Sequence, residues 1–121
     1  MKELSFVIWG TPVPKGRPRF SRNGHAFTPA KTREYEGLVK ATALQAVELN
    51  GWDPNEETDY RIDVRVYRAA KRGDLENYVK AVCDGCNGIL WPDDRMIEVI
   101  RAQRYDTDKK NPRVELTVKK A

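Results

Sequence analysis

Acidic side chains recur between Gly73 and Asp94 (GDLENYVKAVCDGCNGILWPDD) at spacings that could hold a metal ion. Asp74 and Glu76 stand two apart. Glu76, Lys80 and Asp84 follow at i, i+4 and i+8, one face of a helix, with Asn77 beside them. A second acidic pair, Asp93-Asp94, comes after a short turn and is expected to fold back towards Asp74. Hard divalent cations prefer oxygen ligands, and magnesium takes a few carboxylates while water and substrate phosphate complete its shell. Asp74, Glu76 and Asp94 could supply that site. A cation there would lower the pKa of a bound water and neutralise an attacked phosphate. Lys80 could contact the same phosphate, and Asn77 could orient a water or a carboxylate. Each residue also has an ordinary role. Asp74 suits a helix N-cap, Glu76 suits the first turn, and Asp93 and Asp94 suit a turn. Glu76 and Lys80 could be a surface pair contributing roughly 0.3 to 0.5 kcal/mol. The D-x-E spacing alone does not choose.

These residues need elements to position them. The pattern predicts a helix from Leu75 to about Asn87, closed by Gly88. Leu75, Val79, Val82, Cys83 and Cys86 share its other face, which should pack on a sheet. Upstream, Tyr60 to Tyr67 (YRIDVRVY) alternates and predicts a half-buried strand. Leu4 to Trp9 predicts a first strand. Met96 to Tyr105 and Pro112 to Lys119 predict two final strands. A longer helix is expected from Arg33 to Leu49, with Thr32 as its N-cap and Asn50-Gly51 as its end. Asn23-Gly24 predicts a tight hairpin between Phe20 and Phe27. The order is strand, hairpin, helix, strand, helix, strand, strand. That is an α+β chain, a mixed sheet packed by two main helices, expected as one domain over residues 1 to 121.

Net charge is +4, from 22 basic and 18 acidic residues. The distribution is more telling than the total. Residues 4 to 33 contain Lys15, Arg17, Arg19, Arg22, Lys31 and Arg33 and no acidic side chain. Prolines and glycines restrain the segment Gly10 to Pro18 (GTPVPKGRP), so Lys15, Arg17 and Arg19 are expected to face outward and grip phosphate without reading bases. Arg22 extends this surface, and Lys71 and Arg72 add a basic connection before Asp74. A solvated loop is the plain alternative. Cys83 and Cys86 form a CxxC in mid-helix, where core packing is the expectation, since zinc would need ligands that only His25 could begin to supply. Trp9, Trp52 and Trp91 could be core or interface residues. Nothing approaches a membrane span or a signal peptide, so a cytoplasmic protein is expected.

Taken together, three motifs resemble the RusA-type Holliday junction resolvases. PVPKGRPR (Pro12 to Arg19) is similar to the family's basic segment. GDLENYVKAVCDGCNG (Gly73 to Gly88) resembles its D-x-D-N-x-x-K-x-x-x-D helix. WPDDRMIEV (Trp91 to Val99) resembles its W-x-D-D-x-x-I element. The resemblance implies a homodimeric α+β endodeoxyribonuclease that cuts four-way DNA junctions by paired nicks, with magnesium or manganese. It assigns the catalytic carboxylates to Asp74, Glu76 and Asp94 and the important lysine to Lys80, with Asn77, Asp84 and Asp93 in supporting positions. The family has aspartate where this chain has Glu76, which keeps the charge and adds a methylene. Two other readings stay open: a branched-DNA-binding protein of this fold that does not cut, and a structural or protein-interaction domain.

Overall fold

A computed structural model describes residues 2–16, 19–69 and 73–121. Alternation along the chain builds a four-stranded sheet. β1 (Glu3–Trp9), β4 (Tyr60–Tyr67), β5 (Ile97–Tyr105) and β6 (Arg113–Lys120) lie in the order β1-β6-β4-β5. β6 is antiparallel to both β1 and β4, while β4 and β5 are parallel. A parallel pair needs a crossover, and α2 (Leu75–Cys86) supplies it. The small hairpin β2 (Arg19–Phe20) and β3 (Ala26–Phe27) stands apart as a two-stranded sheet. Its turn uses Gly24 at φ 77, the left-handed conformation expected of Asn-Gly. α1 (Ala30–Asn50) ends at Gly51, φ 64.

Period-two burial assigns the faces. Tyr60, Ile62, Val64 and Val66 of β4 are buried with Val114, Leu116 and Val118 of β6 and Leu4 and Ile8 of β1. Both helices cover this side. Tyr78, Ala81, Val82, Cys83 and Cys86 of α2 enter the core, with Leu75 and Val79 packed at its margin. α2 comes close to α1 at Gly85, where a Cβ would lie 2.7 Å from Val39 Cγ1. The opposite face of the sheet is polar. Ser5 and Thr117 hydrogen-bond across it at 2.9 Å, and Arg65 pairs with Glu115 at 3.1 Å.

One expected boundary is corrected. α1 begins at Ala30 with Pro29 at the N-cap, and Thr32 lies inside the helix. Thr32 is buried, and its hydroxyl accepts the Gly16 backbone N–H at 3.1 Å. A long-range contact therefore takes the side chain that sequence reasoning had used as a cap. Among the described residues, no helix is long and apolar enough to cross a membrane.

Candidate functional site

α2 is amphipathic in the sense needed to build a site. While its apolar side anchors it, Glu76, Lys80 and Asp84 remain exposed on the other. After α2 the chain turns sharply. Asn87 bridges to Trp91, and the Gly88 N–H donates to the Trp91 carbonyl at 2.9 Å. Trp91 is fully buried, which fixes the turn. The next residues, Asp94–Met96, form a single 3-10 turn leading into β5. Asp94 is thereby held beside α2. Glu76, Lys80, Asp84 and Asp94 rim one open depression, whose apolar floor is Val79, Cys83, Ile97 and Ile100.

Asp94 is positioned by a specific contact. The Trp91 indole N–H donates to its Oδ1 at 2.7 Å. A short bond to a carboxylate from a fully buried ring fixes the orientation of that carboxylate through one oxygen. Trp91 is the contributor that sequence reasoning missed. Its signal was the W-x-D-D motif, where i and i+3 lie close enough for such a bond.

The other predicted residues divide. Asp74 occupies the N-cap position of α2 but makes no capping hydrogen bond with its side chain. It is not among the residues lining the depression. Asp94 faces the length of α2 from Glu76 to Asp84, and its charge reaches Cys83 and Cys86. Asp94 shares the depression with Glu76, two residues after Asp74 at the start of α2. Glu76 and Lys80 form no ion pair with each other. Asp93 serves the turn: it accepts the Arg95 backbone N–H at 3.0 Å. Asn77 accepts the Lys15 backbone N–H on its carbonyl at 2.9 Å.

Lys15 corrects the outward-facing reading of the basic loop. Its ammonium turns inward and pairs with Glu36 at 2.6 Å and Asp84 at 3.0 Å. Burial acts to lower its pKa, but the bonds to the two carboxylates outweigh this, and the net direction is upward. Lys15 clamps the loop to both helices and holds Asp84 at the rim. Pro14 adds to the same docking, packed where a Cβ on Gly73, φ 73, would fall within 2.8 Å of it. Arg22 is exposed and free to meet a polyanion. Arg17, Lys71 and Arg72, and the side chain of Arg19, lie outside the described residues.

Cys83 and Cys86 are core thiols. Burial first, then the nearby charges of Asp94 and Asp84, pushes Cys83 up to about 12. Burial likewise raises Cys86. Both thiols are buried, as the expected core packing requires.

Among the described residues, no three His, Cys, Asp or Glu side chains converge on one point to form a finished metal cage. The donor set still fits a hard divalent cation. Glu76, Asp84 and Asp94 border one solvent-open depression with no histidine among its lining residues. Magnesium needs only one or two protein carboxylates when water and phosphate fill the shell.

Comparison with known proteins gives two findings. A family model described as endodeoxyribonuclease RusA matches residues 10–119. An uncharacterized Bacillus subtilis (strain 168) protein, YqaN, is 26% identical over 96% of this chain and 95% of its own length.

Proposed function

From the premise that this chain belongs to the RusA endodeoxyribonuclease family, we propose that it is a metal-dependent endodeoxyribonuclease that resolves four-way DNA junctions by paired nicks. The observation that carries the reading is the depression rimmed by Glu76, Lys80, Asp84 and Asp94, with Asp94 fixed by Trp91.

In this reading Glu76 and Asp94 would hold magnesium or manganese, with Asp74, two residues before Glu76 and without a capping bond, as the third ligand. A cation held there would supply an activated water and charge neutralisation at the scissile phosphate. The chain's own residues do the rest. Trp91 keeps Asp94 in one orientation, so no rearrangement is needed as charge develops. Lys80 contacts a non-bridging phosphate oxygen and takes up part of that charge. Asp84 is tied to Lys15, so it shapes the rim rather than ligating. Asn77 orients water or a carboxylate. Arg17, Arg19, Arg22, Lys71 and Arg72 hold the DNA backbone. A homodimer places one such cleft on each of two opposed strands.

The test is a labelled four-way junction incubated with the protein in magnesium, in manganese and in EDTA. Metal-dependent nicks in opposed strands are expected. Salt-sensitive junction binding without any nicking would establish the binding-only reading instead. Absence of both would leave a structural domain.

A further inference from the structure

The face of the sheet that the helices leave uncovered is ordered in rows. β1, β6, β4 and β5 set one residue each side by side, and the period of two puts alternate rows on the open side. Trp9, Arg113, Tyr67 and Tyr105 form the terminal open row. Tyr67 and Tyr105 stack with centroids 4.7 Å apart and planes 15° from parallel. The Arg113 guanidinium lies 3.8 Å from the Tyr67 centroid and 5.8 Å from that of Trp9. It is held by Asp108 and Glu115, each at 2.9 Å. This packing accounts for Arg113 and both tyrosines, which are half-buried. It leaves Trp9 63% exposed at the β1 edge, whereas Trp52 and Trp91 are buried. Two further rows of this face carry cations. Arg61 stands beside Lys119, and Arg101 beside Asp63. Lys119 is paired with Glu3 at 3.3 Å and Asp63 with Arg65 at 3.9 Å. Arg61 and Arg101 are exposed and carry no ion pair among the described residues. Both line one shallow depression with Ser5 and Thr117.

We propose that the open face of the sheet holds an unpaired DNA strand, with Trp9 stacked on one base and Arg61 and Arg101 against phosphates. The inference rests on the reading that the cleft acts on branched DNA, and it extends that substrate to branches with a single-stranded arm. Bases within a duplex already stack on one another and offer no free face to an indole. An unpaired base does, and stacking on an aromatic side chain accepts any of the four. The two guanidiniums without carboxylate partners match the backbone that such a strand brings. Arg113 is neutralised by Asp108 and Glu115 and props the indole instead. Topology connects this row to the cleft. From Trp9 the chain runs to Lys15, whose backbone N–H donates to the Asn77 carbonyl at 2.9 Å. From Tyr67 it runs to Arg68, whose guanidinium donates to the Gly73 carbonyl at 3.2 Å. Both connections therefore leave the terminal row and reach the start of α2, where Asp74 and Glu76 stand. β5, which borders the cleft, is three strand spacings from Trp9, roughly 14 Å. A strand leaving the cleft over this end of the sheet meets the row within a few nucleotides.

Binding in EDTA, read by tryptophan fluorescence, tests the strand site without any cleavage. Trp9 is the exposed tryptophan of the three, so a ligand that stacks on it quenches a separable part of the emission. An oligothymidylate and a fork with a single-stranded arm should quench it, and a relaxed circular duplex should not. Trp9→Leu should weaken oligothymidylate binding by about tenfold or more, as loss of one stacked base requires, and leave its salt slope unchanged. Trp9→Phe should recover most of that loss. Arg61→Gln and Arg101→Gln should each reduce the salt slope by about 0.7, the value for one single-strand phosphate. Parental affinity in Trp9→Leu, parental salt slopes in both arginine variants, or equal quenching by the circular duplex would each overturn the proposal. Trp9 emission that changes with protein concentration alone would assign the indole to a protein contact and overturn it too. Junction nicking in magnesium separates the two readings. A protein that nicks four-way junctions while unpaired DNA leaves Trp9 emission unchanged refutes the strand site and leaves the nuclease standing. Quenching by unpaired DNA in a protein that nicks no branched substrate refutes the nuclease and leaves the strand site standing.

Discussion

Replacing Trp91 by phenylalanine tests whether the depression is a working site. The change keeps an aromatic ring in the core and removes the N–H that holds Asp94 Oδ1 at 2.7 Å. A hydrogen bond to a charged acceptor contributes about 1.5 to 3 kcal/mol. The smaller ring adds a void costing about 1 kcal/mol. The chain should therefore lose ~3 kcal/mol, leaving it folded, with Tm lower by ~10 °C. Stability alone does not address function, so a matched control is needed. Trp52 is also buried, and its indole N–H donates to the Leu90 carbonyl at 2.8 Å. Trp52→Phe should cost a comparable amount of stability without touching a carboxylate. The discriminating assay is the magnesium dependence of junction nicking, measured well below either melting transition. An orienting partner of a metal ligand is typically worth about 10- to 100-fold in metal affinity or activity. Trp91→Phe should therefore raise the half-saturating magnesium concentration by ~10-fold or more, and Trp52→Phe should leave it unchanged. Equal magnesium dependence in the two variants would refute the argument that Trp91 prepares Asp94 for a cation.

Four further outcomes are expected. Asp94→Asn and Glu76→Gln should reduce nicking by at least about 100-fold while junction affinity, read by gel shift, stays level or rises as repulsion of phosphate falls. Asp74→Asn should do the same, and parental rates in that variant would remove Asp74 from the ligand set. Lys15→Met should lower stability by about 1 to 3 kcal/mol by stranding Glu36 and Asp84, while the salt slope of DNA binding stays constant; a flattened slope at unchanged Tm would restore the outward-facing reading. Glu115 is partly buried, which raises its pKa, but Arg113 and Arg65 more than reverse this, and its folded pKa lies below the usual 4.5. Its stabilisation is complete above the unfolded pKa and is lost as pH falls through the folded one. The Tm deficit of Glu115→Gln should accordingly be full at pH 7 and shrink below pH 4.5, and a pH-independent deficit would refute that assignment. Ellman's reagent should find no reactive thiol in the native protein at pH 8 and two after unfolding, because burial holds both cysteines protonated.

What could be read from the chain follows from how local each signal is. β4 was legible to the residue because Ile62, Val64 and Val66 alternate with polar neighbours and one side of the sheet is covered. α2 was legible because its apolar and charged faces separate at helical spacing. Thr32 and Lys15 were misread for one shared reason. Each has a locally adequate role, as a cap or a solvated cation, that a distant partner displaces: Gly16 for Thr32, and Glu36 and Asp84 for Lys15. The site shows the same division. The helical face Glu76, Lys80 and Asp84 could be drawn on a wheel. The approach of Asp94 to that face could not, because the turn through Asn87 and Trp91 and the parallel placement of β5 decide it. That placement changes the chemistry expected of the helix. The carboxylate brought to the rim by tertiary structure shares it with Glu76, Lys80 and Asp84, so the lysine borders the same cleft as both candidate ligands. A cationic side chain on the same rim as Glu76 and Asp94 suits an anionic substrate that must approach two carboxylates, since it offsets part of their repulsion of the phosphate.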